Sequence, residues 1–125
     1  MAKYLIISEE EANNMKEKFT AEQLLRRLGV TGRLEGFRST ISLVEQVAED
    51  PAALQLITKR LYPDTARQFG ITPSALERSV RTLIRFCWER EDHAFLDRMA
   101  GCHVEQRPSN TEFIDILANY IRQGR

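Results

Sequence analysis

In residues 61–88, LYPDTARQFGITPSALERSVRTLIRFCW, five polar side chains recur at a spacing that gathers them on one side of a helix. They are Ser74, Glu77, Arg78, Arg81 and Arg85. With Ser74 at zero and 100° per residue, Glu77, Arg78, Arg81 and Arg85 fall at about 300°, 40°, 340° and 20°. An arginine such as Arg78 can donate two parallel hydrogen bonds to guanine O6 and N7. A carboxylate such as Glu77 can accept from the cytosine amino group. Arg81, Arg85, Ser74 and Thr82 suit phosphate oxygens, which fix register rather than sequence. The face therefore has the composition to enter a DNA major groove.

These side chains need a helix whose start and rotation are fixed. Leu76, Val80, Leu83, Ile84 and Cys87 fall on the opposite side of the wheel and should rest on the core. Thr72 is a helix N-cap and Pro73 suits the first helical position, where its missing N–H costs nothing. The recognition helix is expected over about 73–89. Ahead of it, Pro63 opens a short helix over 63–68. Ala66 is small where two helices would cross, and Gly70 supplies a positive φ for the turn. Ile71 is expected to point into the core. Together these make a helix-turn-helix.

The remaining chain reads as helices. Residues 3–7 suggest an extended arm, followed by a polar helix over 9–18 with a Ser8/Glu11 capping box. Thr20 and Gln23 form a second box, and Phe19 is placed to staple onto Leu24. Leu24, Leu25 and Leu28 make an apolar stripe that Gly29 ends. Phe37, Ile41, Val44 and Ala48 mark a helix over 37–49, widened by Leu43 and Val47. Asp50-Pro51 restarts the chain, and a helix over 52–60 should carry Leu54, Ile57 and Leu61 inward. A short helix is expected over 92–99, with Phe95, Leu96 and Met99 buried. Ser109 and Glu112 box the start of a terminal helix over 110–122. Its apolar face is wide enough for deep burial or for a dimer contact. Nothing reads as sheet, so the fold class is all-α, with six or seven helices.

Net charge is zero over 125 residues, yet residues 58–90 hold seven positive against three negative charges. No other block is net positive. A local basic face is what attraction to phosphate needs, because screening limits its reach. Two cysteines without a CxxC pair make no disulfide framework and fit a reducing cytoplasm. The longest N-terminal apolar run, Tyr4 to Ile7, is too short for a signal peptide or a membrane span. Cys87, His93, Cys102 and His103 match no zinc spacing. No catalytic constellation, cofactor site, metal site or small-molecule substrate site stands out. Trp88 and Phe86 read as core or interface rather than as base-stacking groups.

From Phe19 onward the chain resembles the C-terminal effector domain of the stage-zero sporulation response regulators. The resemblance rests on ITKRLYPDTARQFG, on ITPSALERSVR with its Thr-x-Ser-x-x-Glu-Arg run, on Trp88 and on PSNTEFI, in the family's order. LGVTGRLEGF fits as well. The resemblance implies a division into an N-terminal arm and polar helix, 1–18, and an effector domain, 19–125. It implies a cytoplasmic, nucleoid-associated protein that binds double-stranded DNA at boxes similar to TGTCGAA, often as paired copies. Carried over by position, Glu77 and Arg78 are the base readers, Arg81 is a further groove arginine, and Arg107 lies near a backbone-touching loop. Lys59, Arg60 and Arg67 are candidate flanking contacts. Thr82 replaces a larger polar or basic residue, and the 101–107 loop is poor in lysine; both bear on DNA affinity. With 18 residues ahead of the domain, no receiver is expected, and phosphorylation control is not encoded. A second reading is a protein-interaction or dimerisation module that modulates a full-length regulator.

Overall fold

The computed structural model describes residues 18–124; the arm and the polar helix expected over 3–18 lie almost wholly outside them. Among the described residues there are six α-helices and no strand. They are α1 (Ala21–Arg27), α2 (Phe37–Glu49), α3 (Tyr62–Phe69), α4 (Pro73–Trp88), α5 (Ala94–Ala100) and α6 (Asn110–Gln123).

Helix starts follow the capping chemistry in the sequence. Thr20 and Gln23 bond reciprocally at the head of α1, and Ser109 and Glu112 do the same at α6. Thr72 Oγ1 accepts from the Ala75 N–H, with Pro73 at the first position of α4. Gly29, Gly70 and Gly101 take positive φ where α1, α3 and α5 end. Gly36 has a second constraint. Its φ is +89°, and a Cβ there would lie 2.9 Å from Ser79 Cβ and 3.0 Å from the Ser79 carbonyl oxygen. The start of α2 is thus pressed against the back of α4.

α2 and α6 form the most extensive helix pair, and the remaining helices pack around them. Leu24, Leu25, Phe37, Leu43, Val44, Phe113, Ile114, Leu117 and Ile121 are buried in one cluster, while Ile41 and Phe95 are only partly covered. Phe19 packs at its edge, 5.8 Å from the Tyr120 ring centroid. The broad apolar face of α6 is consumed inside the domain: five residues are buried, and Ile116 and Tyr120 are half covered.

Two expectations fail. The regular helix expected over 52–60 is a 3₁₀ segment, Pro51–Leu56, followed by a π-helical turn, Ile57–Leu61. The Tyr62 N–H reaches back to the Ile57 carbonyl, five residues away. A tight turn followed by a wide one averages close to the α period, so Leu54, Ile57 and Leu61 still approach the core. Only Leu61 is fully buried, and Leu56 is left outside. The second failure is Ile71, which stays 39% exposed. Its N–H bonds the Ala66 carbonyl at 3.0 Å, closing α3 with the left-handed Gly70. That closure sets Ile71 beside Phe69 on a surface groove that Leu34 also lines, away from the core. Of the core and interface placements expected for Phe86, its 42% exposure excludes the core.

Candidate nucleic-acid interface

α3, the turn at 70–72 and α4 form one unit held from behind at several points. Ala66 is buried where the helices meet. Gln46 of α2 donates to the Oγ1 of the buried Thr65 at 2.9 Å, anchoring α3. On α4, Leu76, Val80, Leu83, Ile84 and Cys87 are all buried, as the wheel requires. Burial pushes the Cys87 thiol up to about 12, so it stays protonated and inert.

The opposite face of α4 is open. Ser74, Arg78, Arg81 and Arg85 are exposed, and Glu77 and Thr82 are partly covered. Arg78 and Arg85 have no acidic partner among the described residues, which leaves both guanidinium groups available. Glu77 and Arg81 pair with each other at 2.5 Å, one helical turn apart. Glu-x-x-x-Arg spacing is the sequence signal for that pair. An exposed pair of this kind is worth only about 0.2–1 kcal/mol, so it holds the two side chains without locking them.

Beside this face is a cleft of about 470 Å³, lined among others by Glu77, Arg81, Thr58, Arg107 and Asn110. It brings Arg107, which is distant in sequence, next to the α4 face. Lys59 is exposed on the π-helical turn beside Thr58, at the edge of the cleft rather than in it. Ser74, Arg78, Thr82 and Arg85 lie along α4 outside the cleft. Asn110 was not legible from sequence as part of this surface. Its side-chain amide donates to the Glu77 carbonyl at 3.0 Å and to Tyr62 Oη at 3.2 Å. The PSNTEFI run flags the region, but neither partner can be deduced from spacing.

A profile of the family described as "Sporulation initiation factor Spo0A C terminal" matches residues 21–121. The chain belongs to this family. Members are DNA-binding effector domains of a transcription factor rather than enzymes, so this is a DNA-binding domain of transcription regulation and sporulation. The match covers five helices whole and α6 up to Ile121, and the open face of α4 lies inside it. No described helix is long and apolar enough to cross a membrane.

Proposed function

We propose that the chain regulates transcription by reading a TGTCGAA-like box through α4, set in the major groove as the second helix of a helix-turn-helix. The observation that carries this is the open, mostly basic face of α4, with Arg78 unpaired at its exposed first half. Arg78 pairs with guanine O6 and N7, and Glu77 accepts from a cytosine amino group. Each such contact is worth about 1–3 kcal/mol of discrimination. Ser74, Arg81, Thr82 and Arg85 grip phosphate and set register, with Lys59 and Arg107 on the flanks. To engage DNA, Arg81 shares or releases Glu77, a small cost for so exposed a pair. Residues 19–125 are the DNA-binding unit, and paired copies occupy paired boxes in the nucleoid.

The dimerisation-module reading rests on the wide apolar face of α6 and on the N-terminal arm, which lies outside the described residues. That face is used mostly inside the domain, so it does not favour this reading over DNA binding. An electrophoretic shift with a TGTCGAA duplex and a scrambled duplex tests the proposal. Wild type should prefer the box, and Arg78→Ala should lose about 1–3 kcal/mol of that preference, keeping only what Glu77 supplies. Arg81→Ala should weaken binding to both and reduce the salt slope by about one. Equally poor binding of wild type and Arg78→Ala at low salt would sink it.

A further inference from the structure

Asn110 is the first residue of α6, yet its side chain serves α3 and α4. A primary amide has two N–H donors. One goes to the main-chain carbonyl of Glu77, 33 residues earlier, and the other to the hydroxyl of Tyr62, 48 residues earlier. Tyr62 opens α3 and is buried, and burial raises its phenol above the usual range. The helical bond expected for the Glu77 carbonyl comes from the Arg81 N–H four residues on. The Asn110 amide uses the second lone pair of that carbonyl. A side chain from a core helix therefore grips α4 at the residue proposed to read a base, and grips α3 in the same fork.

We infer that Asn110 is a positioning residue for DNA reading: it sets the rotation and height of the first half of α4, and hence the aim of Glu77 and Arg78, without touching DNA. The inference rests on the base-reading proposal above. Aliphatic packing of Leu76, Val80 and Leu83 holds α4 against the core but is non-directional. A hydrogen bond is directional, weakening steeply as its angle closes. The Asn110 fork adds an angular constraint that packing lacks. Gly36 against Ser79 limits the approach of α4 from the other side. Between these two contacts the helix has little room to roll.

The test is selection from a randomised duplex pool, with the bound fraction sequenced, at a temperature well below the Tm of every protein used. Wild type, Glu77→Ala, Asn110→Ala, Asn110→Asp and Tyr62→Phe are compared. Asn110→Asp keeps the size but loses both donors, and Tyr62→Phe keeps the buried ring but loses one acceptor. Asn110→Ala and Asn110→Asp should flatten base preference at the positions that Glu77→Ala flattens, by about tenfold in relative enrichment. Asn110→Ala should leave affinity for random duplex within about twofold, whereas a merely structural role would lower binding to all duplexes together; Asn110→Asp adds a negative charge beside Arg81 and Arg107 and should lower that affinity uniformly as well. Tyr62→Phe should give a smaller loss at the same positions. In the Glu77→Ala background, Asn110→Ala should do nothing further at the Glu77-dependent positions. A profile flattened by Glu77→Ala but unchanged by both Asn110 variants overturns this inference alone. A flat wild-type profile, or one indifferent to Glu77→Ala, overturns the base-reading proposal and this inference with it.

Discussion

α4 and α6 are the two longest helices, at 16 and 14 residues, among those that open with a hydroxyl N-cap, and both are amphipathic. They differ in what they leave outside. α6 shows solvent a mixed face of Asp115, Asn119 and Arg122, whereas α4 shows Ser74, Arg78, Arg81 and Arg85 with Glu77 as the lone acid among them. Equal burial on the inside with unequal chemistry outside separates a structural helix from a reading helix. α6 carries the core and α4 carries the charge; Asn110 is the side chain that joins them.

Core truncation in α6 should have the largest effect. Phe113 is fully buried, so Phe113→Ala should cost about 3–5 kcal/mol in chemical denaturation. What folded protein remains should keep its DNA preference. Next in size, Arg78→Ala should lose about 1–3 kcal/mol of box discrimination with an unchanged Tm, while Arg122→Ala on α6 should change neither. Equal losses from Arg78→Ala and Arg122→Ala would erase the distinction between the helices. Cap removal sharpens it at a smaller scale. Thr72→Ala and Ser109→Ala should each cost about 1 kcal/mol of stability, measured by denaturation. Of the two, Thr72→Ala should weaken DNA binding more, because it frays the end of α4 that bears Ser74 and Glu77.

The smallest effect should come from pH, remote from both helices. The Val104 N–H, and then His103, hold the Asp97 carboxyl below its usual range, and Asp97 in turn raises His103. The His103 contribution is full below the unfolded imidazole value and disappears as pH rises through the higher folded value. The Asp97 contribution is present above the unfolded carboxylate value and disappears as pH falls through its lower folded value. The 101–104 loop should therefore be held best between the usual carboxylate and the usual histidine values, and should loosen as pH rises further. An NMR titration should show His103 losing its proton at lower pH in Asp97→Asn, and Asp97→Ala should in addition speed exchange of the Val104 amide.

Much of this contrast is legible in the residues themselves. Thr20 with Gln23, Thr72 with Pro73, and Ser109 with Glu112 mark helix starts because capping is local chemistry over three or four residues. The two faces of α4 follow from periodicity alone. Residues 51–61 were not legible, because a 3₁₀ segment and a π turn together mimic the α repeat of Leu54, Ile57 and Leu61. Ile71 misled because an apolar residue in a turn can close over a neighbour such as Phe69 instead of entering the core. At the site, the exposed face was readable, but the cleft joining Arg107 to Arg81 and the Asn110 fork depend on tertiary approach over tens of residues. No spacing rule reports such contacts.

The most direct measurement is a map of backbone amide shifts while a TGTCGAA duplex is titrated into labelled protein. If α4 is the reading helix, the largest shifts fall at 73–85 and at 107–110, and the amides of Asp115, Asn119 and Arg122 stay still. Shifts centred on the outer face of α6, with α4 unmoved, would contradict the account.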